Sequence, residues 1–276
     1  MMKKEKTMFK KGFYCVLIIC FIWCLILCCG IFLAPFDPFK TDPSLSLATP
    51  DNTHLLGCDR LGRDLLSRLL TGAAPSFLTA VIILIISLFA GTLVGLLGAF
   101  NRNRFGQFMK FITDLLLSFP RSIAVIFIAG TLSSGILGSS FALCLFLWPH
   151  FARVTYAIAN DALQNDYIKQ AKISGENTFR IVRYYLFYEI KDQLLITALL
   201  DLSAVILALS TLSFLGLSSQ PPLPEWGSML YENRNYLDSA PHLLIYPTLC
   251  IFISAFLFNL LGQMYASRHA QGRINL

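Results

Sequence analysis

Long uncharged runs alternate with short polar segments along the whole chain. No charge occurs from Gly12 to Phe36, and none between Arg68 and Arg102. About 20 apolar residues, at 1.5 Å per residue in a helix, cross the ~30 Å hydrocarbon layer of a bilayer. Six such runs predict six transmembrane helices, at 12–34, 76–100, 111–131, 139–158, 193–216 and 243–266. Between them lie an amino end (1–11), an external loop (35–75), a short turn (101–110), a long polar loop (159–192), a second external loop (217–242) and a tail (267–276). The fold class expected is all-α, a polytopic membrane protein. Asp114, Pro120 and Arg121 interrupt the third run, where Pro120 removes a backbone donor and predicts a kink. Gly91 and Gly95, four residues apart in the second run, predict close helix packing in lipid.

Composition agrees with this pattern. Hydrophobic residues make up 55% of the 276 and charged residues 14%, where soluble domains carry about 25% charged residues. The net charge of +6 comes from residues that flank spans, not from a basic patch with interleaved aromatics. Nucleic acid is thereby excluded as a partner. Sixteen Lys and Arg fall in the segments on one side of six spans and five on the other, with Arg121 inside a span. The positive-inside rule then places both termini and the 159–192 loop in the cytoplasm. The lysine-rich start reads as the flank of an uncleaved first span, since no small-x-small cleavage site follows it. Five of the eight cysteines lie in that first run, where they act as small apolar side chains. Cys20, Cys24 and Cys28 share a helical face but have no His or carboxylate beside them, so no metal site is expected. Cys58 stands alone in the first external loop, as a surface thiol.

Two polar stretches carry candidate chemistry. In Asp161–Tyr188, the residues Ala162, Leu163, Tyr167, Ile168 and Ala171 recur at helical spacing. Gly175 is suited to end that helix in a left-handed conformation. Asn177 is suited to cap a second helix bearing Phe179, Ile181, Val182, Tyr185 and Leu186. The expectation is a helix–turn–helix lying flat below the membrane, its knob entering a partner's groove. The bland alternative is an interfacial helix resting on lipid. The second stretch, His54–Ala73, packs Asp59, Arg60, Arg63, Asp64 and Arg68 between turns permitted by Gly57 and Gly62, and then becomes an amphipathic helix leading into the second span.

These residues carry a family resemblance. LGCDRLGRDLLSRLLTGA, with Gly57, Asp59, Gly62, Arg63 and Asp64, is similar to a signature of the peptide/nickel branch of ATP-binding-cassette importer permeases, Cys58 standing where threonine is usual. LSFLGLSSQPPLPEWGSML (212–230), with Pro221, Pro222, Glu225, Trp226 and Gly227, resembles that branch's second external loop. SFP (118–120), Trp148-Pro149 and Phe258-Asn259-Leu260 also fit, as do Ala171 and Gly175 in the cytoplasmic loop. Lys169-Gln170 and Phe187-Tyr188-Glu189 depart from the family's loop pattern. The resemblance spans about residues 50–265 and matches the second permease of the pair.

It implies a type I importer permease with its permease domain at 76–266, in the inner (cytoplasmic) membrane of a bacterium. The implied partners are a second permease, two cytoplasmic ATP-binding subunits and an extracytoplasmic substrate-binding protein. Tyr167, Ile168, Ala171, Lys172 and Gly175 would meet an ATPase. No cofactor is expected in this subunit, because ATP and Mg belong to the partner ATPases and no phosphate-binding Gly-x-x-x-x-Gly-Lys loop occurs here. An Asp inside a span costs about 2.5–3.5 kcal/mol on insertion scales, so Asp201 should face the bundle interior or a cavity, lining a path for a cation or cationic chelate, the alternative being a buried structural hydrogen bond. Asp201 and Ser213 are the candidates for the translocation path. Phe187-Tyr188-Glu189 in place of the family's Leu-Pro-Asn, the Ser174-Gly175 pair and Leu200-Asp201 look more like nickel-type permeases, so the expected substrate is nickel or a metal–chelate complex, with di- or oligopeptide the alternative. A remote alternative is an intramembrane enzyme using Ser210 or Ser213 with His150 or His242, for which no Gly-x-Ser-x-Gly or His-Glu-x-x-His motif is present.

Overall fold

The computed structural model describes residues 2–101, 103–132, 135–219 and 221–274, with side chains described between Gly12 and Ala270. The lysines of the amino end lie outside the described side chains. The fold is all-helical, and no strand forms among the described residues. In chain order the helices are α1 (Met2–Leu33), α2 (Leu65–Phe100), α3 (Arg104–Ser118), α4 (Arg121–Thr131), α5 (Ile136–Ala162), α6 (Asp166–Ile173), α7 (Thr178–Ile181), α8 (Phe187–Phe214), α9 (Trp226–Asn233) and α10 (His242–Ile274).

Five continuous stretches are long and apolar enough to cross a membrane: Gly12–Leu33, Leu65–Phe100, Ile136–Ala162, Thr178–Phe214 and His242–Ala270. The sixth crossing is broken. Where the sequence predicts one kinked span over 111–131, the chain forms α3 and α4 at 91° to each other. Phe119 is extended (φ −80°, ψ 140°) because it precedes Pro120, and Pro120 caps α4 without a side-chain hydrogen bond.

The packing of α2 on α5 shows that this broken pair crosses the bundle. Cys144 approaches the carbonyl of Ile83, while Gly91 lies against Trp148 and Phe151, and Gly95 against Ala152 and Thr155. Rising numbers on one helix match rising numbers on the other, so α2 and α5 run parallel, and α3–α4 must return the chain between them. A Cβ at Gly91 or Gly95 would overlap the α5 backbone, which is the close approach the glycine spacing predicts. Helix α1 runs antiparallel to α10, with Trp23 donating to Ser254 Oγ (2.9 Å) and Phe13 packing on Tyr265. Tyr265 donates to Asp192 (2.9 Å) at the base of α8. The start of α1, the end of α10 and α6 therefore share one end of the bundle. The opposite end carries the 34–64 segment and α9. The core between them is aliphatic and aromatic, with Ile83, Leu143, Leu147, Phe151, Val205 and Leu209 all buried.

Two helix boundaries are informative, one as expected and one not. The amphipathic helix expected at the end of His54–Ala73 and the second span form one continuous 36-residue α2, which Asp64 caps as its Oδ2 accepts from Ser67 N (2.8 Å). The second helix of the expected flat helix–turn–helix is instead the foot of the fifth span. Asn177 caps it by accepting from Arg180 N (2.9 Å), and a single π-type turn at Val182–Leu186 joins α7 to α8. The polar residues Arg180, Arg183, Tyr184 and Tyr188 stand on its exposed side, while Ile181, Leu186 and Ile190 are buried. A charged face had made half a helix look like a loop.

Candidate functional site

Three clusters of polar side chains stand at three depths of the bundle. At the α9 end, the two external stretches close on each other. Arg63 Nε donates to Asp59 Oδ2 (2.6 Å), and its Nη2 donates to Glu232. Arg68 Nη2 donates to Glu232 Oε1 (3.0 Å), and its Nε lies 3.6 Å from Asp59. Two guanidiniums and two carboxylates, all buried, so form a neutral closed ring between residues more than 160 apart in sequence. Beside it, Trp226 is buried and donates its indole N–H to Leu69 O (3.0 Å). Glu225 caps α9 by accepting from Gly227 N (3.1 Å) and Ser228 N (2.9 Å), and Ser76 Oγ bridges Glu225 and Trp226 N. Burial pushes the Glu225 carboxyl above the ordinary carboxylate range, against the pull of those donors. Gly57 and Gly62 adopt φ of +78° and +71°, which the local turns require. Cys58 is fully buried, not the surface thiol that its isolation in the sequence suggests.

Of the external motif residues, Gly57, Asp59, Gly62, Arg63, Asp64, Glu225, Trp226 and Gly227 are therefore structural closures of this cap, with Pro221 and Pro222 exposed at its rim. Ser213 is buried beneath the cap against Gly227. Sequence reasoning misses Glu232, which carries half of the ring's negative charge. Its signal was a charge imbalance, because Arg63 and Arg68 share only Asp59 once Asp64 has become a helix cap that also contacts His54 (2.9 Å).

Midway along the bundle lies the second cluster. Asp201, near the middle of α8, is largely buried, and its Oδ2 lies 2.9 Å from His150 Nδ1 on α5. Arg121, the first residue of α4, places Nη1 4.0 Å from Asp201 Oδ1. Both partners were visible in the sequence, yet neither was matched to Asp201. His150 reads as a residue near the interface, but α5 continues to Ala162 and so carries it to mid-span. Ser213 is 12 residues beyond Asp201 on α8, about 18 Å of helix rise away, so His150 and Ser213 cannot act as a nucleophile–base pair. His242 sits at the α9 end near Gly57.

The third cluster is α6. Ile168 is buried in a cluster with Ala159 and Ala162 at the end of α5, Ile181 of α7, Leu186 of the π-type turn and Ile190 of α8, and Ala171 is buried as well. Tyr167, Lys172 and Gly175 face outward with Lys169 and Ile173, and Ile173 is 86% exposed. Gly175 takes φ +83°, with no other atom near where a Cβ would lie. The apolar stripe of the loop is thus a foot that packs on its own bundle, and the outward face is polar around one bare isoleucine.

Known proteins sharing this pattern agree among themselves on a role. Residues 74–271 match the family described as "Binding-protein-dependent transport system inner membrane component". The chain is 35% identical over 248 residues to the di/tripeptide transport system permease protein DppC of Pseudomonas aeruginosa (strain UCBPP-PA14), covering 87% of this chain and 82% of that protein. It is 33% identical to the glutathione transport system permease protein GsiD of Pectobacterium atrosepticum (78% and 71% covered). It is 31% identical to the nickel transport system permease protein NikC of Escherichia coli K12 (83% of each). Among solved structures, the inward-facing MetNI methionine ABC transporter in its CY5 native crystal form overlays with a TM-score of 0.58 at 17% identity, covering 72% of this chain and 95% of that one.

Proposed function

The chain belongs to the binding-protein-dependent transport system inner membrane component family, as an ABC importer permease of its peptide/nickel branch, and from that premise we propose how it works. It is the second permease of a pair, with both termini and α6 in the cytoplasm of a bacterial cell. Two ATP-binding subunits dock on the permease pair, one of them against the outward face of α6. A binding protein delivers substrate to the α9 end. The subunit itself catalyses no reaction and holds no cofactor. The observation that supports coupling is the foot of α6, where Ile168 is buried among the ends of α5 and α8. When ATP draws the two ATPases together, a pull on α6 reaches two spans at once, because close-packed interiors transmit displacement instead of absorbing it.

For the substrate, we read nickel carried as a chelate. Phe187-Tyr188-Glu189 in place of Leu-Pro-Asn, the Ser174-Gly175 pair and Leu200-Asp201 favour the nickel type, and the state of Asp201 argues against a bare ion. Its carboxylate already faces His150 and Arg121, so it offers little free negative charge to a naked divalent cation. A short peptide is the second reading, favoured by the 35% identity to a di/tripeptide permease. The test is ATP-dependent uptake into proteoliposomes holding the complete importer and its binding protein, using radioactive nickel with and without histidine, and labelled dialanine. Accumulation of nickel with histidine, and little without, is the expected result. Accumulation of dialanine alone would replace nickel by peptide.

A further inference from the structure

The mid-span cluster does more than neutralise Asp201. A pocket of about 220 Å³ opens between α4, α5 and α8, lined by Arg121, Ser122, Leu143, Ala208, Thr211 and Leu212. Arg121 stands at its edge, with Nη2 buried and without a hydrogen-bond partner, although Nη1 leans toward Asp201. Ser122 and Thr211 are exposed on the same face. A cation half-way through a bilayer does not face lipid, so the Arg121 end of this pocket borders the second permease or the aqueous path, while Thr211 lies nearer the α9 end. The charges fix the preference of the pocket. Asp201 balances Arg121, and His150 adds nothing when neutral or one positive charge when protonated, so the cluster is never net negative. The backbone adds to this. α4 begins at Arg121 with no side-chain cap, and the first N–H groups of its 11 residues bring the positive end of a helix to the break at Pro120.

We infer that Arg121 and this pocket form a carboxylate-binding subsite in the translocation path, with Asp201 and His150 as positioning residues that aim the guanidinium. The shared chemistry is a carboxylate, whether it belongs to an amino-acid chelator around a metal or to the terminus of a short peptide. A guanidinium recognises it by paired N–H donors, while Ala208 and Leu212 accept the apolar part of the solute. The inference rests on the transport reading above and narrows its substrate class. It also accounts for an Arg within a span, which composition alone leaves without a purpose.

The experiment uses the complete importer in proteoliposomes and two matched pairs of probes: nickel with histidine against nickel with histamine, and dialanine against dialanine amide. Within each pair only the carboxylate differs, and whichever pair is transported identifies its source. The binding protein is the same throughout, so a change of preference between variants belongs to the permease. Arg121→Gln is expected to reduce the carboxylate preference by about tenfold and Arg121→Lys to retain most of it, as loss of a charge-assisted hydrogen bond predicts. Equal preference in the wild type and Arg121→Gln overturns the inference. A second measurement does not depend on the substrate. In a chain whose eight native cysteines are replaced, Ser122→Cys should react about tenfold faster with an anionic than with a cationic thiosulfonate, and the bias should vanish with Arg121→Gln. A bias that survives Arg121→Gln, or none at all, overturns the subsite. If the wild type transports neither pair while the Ser122→Cys bias is present, the substrate reading falls and the anion subsite stands.

Discussion

Glu232, like Asp59, touches both Arg63 and Arg68 in the cap. The two guanidiniums have side-chain exposures of 3% and 1%, so neither has water to fall back on. A buried pair is weak evidence for net stability, but removing one partner strands a charge, at a cost of about 3–5 kcal/mol. Glu232→Ala should therefore lower the thermal midpoint of the purified complex and open Arg63 and Arg68 to trypsin. Glu232→Gln, which keeps the shape and an acceptor, should cost less. An unchanged midpoint and digestion pattern in Glu232→Ala would mean that the ring is idle. The ring also explains why Asp59, Arg63 and Arg68 come at spacings of four and five residues. Asp59 opens the turn that Gly62 closes, and the two arginines lie on either side of the start of α2, so all three converge on one point. Such convergence depends on a partner from a distant part of the chain, and the local spacing could announce only half of it.

The segment that forms this cap has almost no regular structure, and hydrogen bonds do the work that helices do elsewhere. Leu47 N donates to Asp59 O (3.0 Å), Cys58 N to Ala48 O (3.0 Å), Asp42 N to Leu61 O (3.1 Å) and Leu65 N to Gly57 O (3.0 Å). These bonds fold the segment back over Cys58. Burial, with Asp64 and Asp59 nearby, raises its thiol from the ordinary 9.0 to about 11. The sign follows from linkage: the unfolded chain loses this proton above pH 9, while the folded cap holds it to about 11. Its stabilising contribution is complete below pH 9 and is lost as pH rises through 11. At pH 8, a membrane-impermeant maleimide added from outside should label Cys58 about 100-fold more slowly than a cysteine placed at the exposed Leu55, given the thiolate requirement and the lack of access. Equal rates would show the cap to be open. The elements themselves were unevenly legible. Long uncharged runs revealed five spans, and Pro120 marked the break in the sixth. The foot of α8 was hidden because Arg180, Arg183 and Lys191 read as loop residues, although a helix half out of a bilayer can carry them on its exposed side. The Asp201–His150–Arg121 cluster was hidden for a different reason, since its three residues come from three helices and meet only through packing.

At the scale of the whole molecule, what matters is that the bundle is stiff where it is pulled. Glycines at 91 and 95 bring α2 and α5 into backbone contact, and α6 is fixed by Ile168 beneath α5 and α8, so a displacement of α6 moves a joined unit. This separates two kinds of residue on one short helix. Inward Ile168 is part of the permease, and outward Ile173 is available to a partner. Ile168→Asp should damage the permease itself, since an unpaired carboxylate would be buried in an apolar site, and loss of the assembled protein from membranes is the expected readout. Ile173→Asp should leave the permease assembled with an unchanged thermal midpoint, yet weaken co-purification of the ATP-binding subunits and reduce uptake by about tenfold or more, as expected for an apolar anchor at an interface centre. Gly175→Arg should act in the same direction, because it strains a left-handed turn and adds a bulky cation beside the docking face. If Ile173→Asp retains full uptake and full co-purification, α6 does not receive the ATPase, and its bare isoleucine rests on lipid instead. In that case Ile173→Trp, which favours the membrane interface, would raise thermal stability in liposomes without changing the ATP hydrolysed per substrate imported. A rise in ATP consumed per substrate with that same variant would instead assign Ile173 to the coupling contact.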